Sequence, residues 1–151
     1  MAFNNFSSGY SRDTRPVMPA AVRVTITGTI PADLFSDQAL SAARSCNDPK
    51  KNASTQLRRF YDELVMWHDK VFADASPEKR KARFDAAIPY IQMLRAKAAY
   101  AKGRDLVNEN FQELFDSLIR QIHSPEDLHT ARLFMEAFMG FKKYLEKSKN
   151  N

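Results

Sequence analysis

The sequence predicts an all-α protein, a compact bundle of about five helices behind an extended N-terminal arm. Three observations predict it. Apolar residues recur at three- and four-residue spacing through most of the chain beyond residue 31. Glycine is scarce, with four in 151 residues, and no long β-branched run competes with the helical pattern. Two triplets, Ser76-Pro77-Glu78 and Ser124-Pro125-Glu126, each offer an N-cap, a proline at the first helical position and an acid in the first turn. The expected division is an arm over residues 1–30, a helical bundle over 31–147 and a frayed end over 148–151.

Residues 1–21 are polar and aperiodic, which suits a mobile tail, with Phe3, Phe6 and Tyr10 as its aromatic groups. Residues 22–30 alternate: Val22, Val24, Ile26 and Ile30 share one face, and Arg23, Thr25, Thr27 and Thr29 the other. No second strand exists to pair with this segment, so it either lies extended over the bundle or joins a partner's sheet edge. The extended arm is the favoured reading.

Pro31 opens a first helix to about residue 45, with Leu34, Phe35 and Leu40 as its apolar face. Cys46, the only cysteine, permits no internal disulfide and has no base or cation cluster fixed beside it to make it reactive. After a polar link, Ser54 or Thr55 caps a second helix to about residue 75, with Leu57, Phe60, Leu64, Trp67 and Val71 as its stripe. Arg58 and Arg59 fall in its first turn, where the helix dipole disfavours cations. With the open backbone N–H groups and the Thr55 hydroxyl they compose a phosphate cradle, against the plainer reading of two solvated arginines. His68 reads as a boundary residue.

Ser76 restarts the chain into a third helix whose Lys79, Arg80, Lys81 and Arg83 form a solvated basic face. Pro89 is expected to kink or restart it. Residues 89–104 then carry two stripes. Ile91, Leu94, Ala98 and Ala101 face inward; Tyr90, Met93, Lys97, Tyr100 and Arg104 run along almost the opposite side. A basic and aromatic outer stripe suits a phosphate backbone, and also suits an ordinary solvated face with snorkelling tyrosines. Gly103 is expected to let the backbone bend there. A fourth helix over 105–123 shows Val107, Phe111, Leu114, Leu118 and Ile122. A fifth over 125–147 shows Ala131, Phe134, Phe138, Phe141 and Leu145, with Lys142, Lys143 and Lys147 complementing its C-terminal dipole.

The formal charge is +5, and its distribution carries more information. Residues 50–104 hold 13 Lys or Arg against 6 Asp or Glu, 13 − 6 = +7; the remainder holds 10 against 12, 10 − 12 = −2. A positive excess confined to the middle third favours an anionic partner. No apolar run approaches a membrane span of about 18 residues, and the first residues lack the apolar core of a signal peptide. These features point to the cytoplasm.

The sequence offers no glycine-rich phosphate loop, no Cys/His metal spacing and no Ser/His/Asp set. Glu126 and His129 make one Glu-x-x-His pair, but a di-iron site needs a second. Neither a cofactor, a metal nor a catalytic residue is expected.

Three segments nevertheless resemble one family. Ser54-Thr55-Gln56-Leu57-Arg58-Arg59-Phe60-Tyr61 is similar to the opening of the long helix in the small subunit of the type III-A CRISPR effector, the Csm complex. Residues 94–104 resemble that family's Leu-x-x-Lys-x-x-Tyr-x-x-Gly-Arg motif, and residues 134–144 its C-terminal segment. The matches keep family order and cover about residues 52–147; the N-terminal extension departs from shorter members. The resemblance implies a non-catalytic helical subunit that stacks with copies of itself in the effector's inner filament. It implies contact with the guide RNA and target RNA through the backbone, with the RNA-cleaving backbone subunit and with the large signalling subunit, and no membrane. By position it assigns RNA binding to Thr55, Arg58, Arg59, Lys97, Tyr100 and Arg104. Two other readings stand beside it: a helical protein–protein adaptor whose basic face docks an acidic partner, and a DNA-binding regulator, which would need a short recognition helix offered to the major groove.

Overall fold

The computed structural model describes residues 21–73 and 76–148. The expected tail with Phe3, Phe6 and Tyr10, the last residues of the second helix before Ser76, and the chain end at 149–151 lie outside the described residues. The described chain forms five helices: α1 (Ala39–Ser45), α2 (Ser54–Phe72), α3 (Pro77–Gly103), α4 (Glu109–Arg120) and α5 (Pro125–Ser148). Among the described residues there is no strand. The hairpin of α2 and α3 is the outer layer. α5 backs α2 and also packs on α1, while α4 packs on α3.

Residues 22–26 alternate as the sequence suggests. Val24 and Ile26 are buried, Arg23 and Thr25 exposed. The partner for their backbone is a side chain. Gln121 accepts the Ile26 N–H at 2.9 Å and donates to the Val24 carbonyl at 2.9 Å, so one amide does the work of a neighbouring strand.

The first helix begins differently from expectation. Leu34–Gln38 is a π-helical turn, with the Gln38 N–H reaching the Asp33 carbonyl at 3.1 Å. The wider turn changes the phase of the inward face to Leu34, Ala39, Ala42, Ala43 and Cys46, and leaves Phe35 exposed. Burial pushes the Cys46 thiol up to about 11, against a hydrogen bond with Ser45 and the charge of Lys142, so it stays protonated at neutral pH.

Ser76 and Pro77 open α3 as the sequence indicates, the Ser76 hydroxyl accepting the Lys79 N–H at 3.5 Å. Pro89 does not restart it: α3 is continuous over 27 residues. An interior proline costs about 3 kcal/mol. Burial of Phe84, Ile91 and Leu94 around it returns about 1.5–3 kcal/mol for each large side chain, enough to carry the helix through. The bend after α3 falls on Asp105 (φ 61°) and not on Gly103. The Leu106 N–H bonds the Ala101 carbonyl at 3.0 Å and the Asp105 N–H the Lys102 carbonyl at 2.9 Å, a Schellman stop with aspartate in the left-handed position. Residues 105–108 are therefore a turn. α4 starts only at Glu109, with the Asn108 side chain accepting the Phe111 N–H at 3.0 Å. Arg95 of α3 and Arg120 share Asp116 of α4 at 2.8 and 2.6 Å.

Phe60, Phe111, Phe115 and Phe138 form the centre, with ring centroids 5.3–6.1 Å apart. Two polar groups run against the sequence reading. Lys142 is 2% exposed, beneath the link between α1 and α2, and does not lie on a solvated helix end. His68 is buried, and its Nε2 meets Nδ1 of His129 on α5 at 2.9 Å while its Nδ1 meets Asp69 at 3.0 Å.

The His68 pair has a pH consequence. Burial holds the His68 imidazole below its ordinary 6.5; Asp69 pulls it upward, and Arg132 and His129 add to the lowering. The unfolded chain therefore takes up this proton first. The stabilisation is complete above about pH 6.5 and diminishes as pH falls below it towards the folded value. Chemical unfolding should show stability declining from about pH 7 to pH 5, with His68→Gln flattening that slope. A slope unchanged in the variant would remove His68 as its source. Asp48, Asp116 and Glu146, all held below their ordinary values despite burial by hydrogen bonds and neighbouring cations, act in a separate window near pH 4 and below.

Candidate nucleic-acid interface

α3 presents the two faces read from its sequence. Ile91, Leu94, Ala98 and Ala101 are buried, and Tyr90, Met93 and Tyr100 are among the most exposed large side chains. Their separation follows from the 3.6-residue turn: the inward side chains dock on α2 and α4, which leaves the other flank in solvent.

Beside this flank runs the first half of α2. Between the two helices lies an open concavity of about 220 Å³, lined by Gln56, Arg59, Phe60 and Glu63 of α2, by Lys97, Tyr100 and Ala101 of α3, and by Arg104 and Leu106 just beyond it. Four of the six residues singled out in the sequence, Arg59, Lys97, Tyr100 and Arg104, meet here although more than thirty positions separate Arg59 from the others. Thr55 and Arg58 do not. Both are exposed on α2 outside the concavity, and Arg58 lies 3.7 Å from Asp62 one turn on.

Lys97 Nζ reaches Glu63 Oε1 at 2.6 Å across the helix pair. The contact is partly exposed, worth about 0–1 kcal/mol, so its main effect is to hold the lysine over the concavity. The Arg104 guanidinium lies 5.8 Å from the Tyr100 ring centroid, and Tyr100 is 67% exposed. Arg59 has no ion-pair partner among the described residues. Three cations against Glu63 give the concavity a net charge of +2.

The start of α2 is not an open cradle. Its cap is Ala53, without a side-chain bond, and the Ser54 N–H donates to Glu146 Oε1 at 3.3 Å. Burial pushes the Glu146 carboxyl up, but hydrogen bonding from Ser54 and the charges of Lys142 and Lys143 outweigh it and keep it ionised. A carboxylate from α5 thus already answers the partial positive charge there. Sequence reasoning could not see Glu146, which is 92 positions away.

The basic run after Ser76 is a solvated face at Lys79, Lys81 and Arg83, with Lys81 pairing to Asp85 at 2.9 Å in solvent, while Arg80 is half-buried 4.6 Å over Phe72. Trp67, read as core, is half-buried and stacks on Tyr90, because the inward position on that turn is taken by His68. The signal for this was the alternation of three- and four-residue steps, which fits 67 and 68 equally well. Among the described residues no three His, Cys, Asp or Glu side chains come together as metal ligands, and Glu126 is not joined with His129 in such a group. No helix among them is long and apolar enough to cross a membrane.

Fold and surface together define a small all-helical protein with a cationic, aromatic flank. A family model for Csm2 of type III-A matches residues 30–148, and the chain belongs to that family. It is thereby a small subunit of the type III-A CRISPR Csm complex, a structural component that works among other subunits. No curated protein and no solved structure matches the chain.

Proposed function

We propose that this subunit stacks with copies of itself in the inner filament of the Csm effector and grips the guide–target RNA duplex by its backbone, without catalysis and without reading bases. The supporting observation is the concavity between α2 and α3, where Arg59, Lys97 and Arg104 surround an exposed tyrosine. The guanidinium forks suit pairs of phosphate oxygens, and the Lys97 ammonium acts as a point charge between them. The Tyr100 hydroxyl suits a ribose 2′-hydroxyl, the group that marks A-form RNA. Phosphate and sugar contacts place a duplex and carry no sequence, which a subunit shared by many guides requires. Thr55 and Arg58 extend the same surface along α2. One copy with so few contacts binds weakly; repetition along the filament multiplies the effect. On this reading the other contacts of each copy are the RNA-cleaving backbone subunit, the large signalling subunit and the next copy, in the cytoplasm.

The test is a salt titration with two RNA duplexes of unrelated sequence, read by fluorescence anisotropy. Both should bind alike, and log K should fall against log salt with a slope of about −3 to −4, for three or four duplex phosphates neutralised. A slope near zero, or strong preference for one sequence, would remove the duplex-backbone reading.

A further inference from the structure

Ten residues before Tyr100, on the same flank of α3, Tyr90 stacks on Trp67 of α2 with ring centroids 5.4 Å apart and planes within 15°. With the methyl groups of Ala86 and Ala87 the rings wall an open cavity of about 310 Å³. Lys70 and Arg83 complete the lining among the described residues. Lys70 Nζ stands 4.9 Å from the Trp67 ring centroid. Tyr90 remains 55% exposed, so much of the stack is open to solvent.

Two flat rings, two small methyl groups and a cationic rim complement a flat aromatic group attached to negative charge. That is the chemistry of a nucleotide: the base lies on the rings and its phosphate meets the cations. An apolar side chain from a protein would use the rings but not the charge of Lys70. A base inside a duplex keeps its faces covered by its neighbours, so only an unpaired nucleotide can enter.

We propose that the Trp67–Tyr90 cavity binds an unpaired nucleobase of single-stranded RNA, with Lys70 at the adjoining phosphate. The assignment rests on the RNA-facing role given to this flank of α3. Tyr90 lies about 15 Å along the helix from Tyr100, so one RNA molecule can touch both places.

Trp67 is the only tryptophan in the chain, and its emission reports this cavity alone. The full-length protein is titrated with a short oligoadenylate and with a blunt RNA duplex of equal length, following tryptophan emission and the anisotropy of a labelled strand. Oligoadenylate should quench Trp67 in step with binding, and the duplex should bind without quenching. Tyr90→Ala should weaken oligoadenylate binding on the order of tenfold, the loss of one stacked base, and leave duplex binding unchanged. Quenching by oligoadenylate without any duplex binding keeps the cavity assignment and removes the duplex reading. Oligoadenylate binding without quenching overturns the cavity assignment and leaves the surface reading intact. Absence of binding by either RNA overturns both. Quenching by a purified partner subunit that RNA cannot reverse overturns the assignment in favour of protein docking.

Discussion

Replacing Arg59, Lys97 and Arg104 together by alanine is expected to lower affinity for an RNA duplex by about a hundredfold at low salt and to flatten the salt slope by about 2–3 units. The three side chains come from two helices and reach one concavity, so they can act on neighbouring phosphates of one backbone. Each lost phosphate contact returns its counterions to the RNA, and this makes the slope a count of contacts as well as a measure of strength. Arg58→Ala is the internal comparison. It removes the same charge from the same helix, outside the concavity and already 3.7 Å from Asp62, and should change affinity less than any one of the three. The fold should survive the triple change. Among the described residues the only ion pair broken is Lys97–Glu63, partly exposed and worth about 0–1 kcal/mol. If the triple variant bound the duplex as wild type does, with the slope unaltered, the concavity would have no part in RNA binding. If Arg58→Ala did equal harm, charge without position would be the explanation.

What the sequence disclosed about this surface is what local periodicity can carry. The inward and outward stripes of α3 follow from which residues are apolar and how far apart they stand, and both appear in the structure. The Ser76 cap and the Pro77 start are likewise decided within a few residues. Contacts between helices are another matter. The bond from Lys97 to Glu63, the capping of α2 by Glu146 and the clamp of Gln121 on Val24 and Ile26 depend on how two helices are rotated against each other. The burial of Lys142 is hidden for the same reason: its neighbours in sequence suggest a solvated helix end, and the link between α1 and α2 covers it. Phe35 fails through local geometry, since the π-helical turn at Leu34–Gln38 breaks the 3.6-residue phase on which its inward placement rests.

The residue that ties together the segments carrying Arg59 and Arg104 makes its hydrogen bonds to neither side chain. Asn52 is fully buried with φ 60°, between α1 and α2. Its N–H donates to the Leu106 carbonyl at 3.1 Å, its Nδ2 to the Cys46 carbonyl at 3.0 Å, and its Oδ1 accepts the Asn108 N–H at 2.9 Å. These bonds tie the segment leading into α2 to the turn leaving α3. Asn52→Ala leaves a buried amide and a buried carbonyl without partners and puts a Cβ residue with no compensating side-chain bond in the left-handed region. The expected cost is about 3–5 kcal/mol, read as a lower urea midpoint at constant m. Asn52→Gly loses the same side-chain bonds but relieves the backbone, and should be about 1 kcal/mol less destabilised than the alanine variant. Alanine at least as stable as glycine would show that the left-handed conformation is not imposed at this position. A loss below about 1 kcal/mol for alanine, the worth of a single ordinary hydrogen bond, would mean that the network does not hold the two links together. The glycine variant also separates placement from charge: it keeps Arg59, Lys97 and Arg104, so weakened duplex binding in the folded protein would come from their relative position alone.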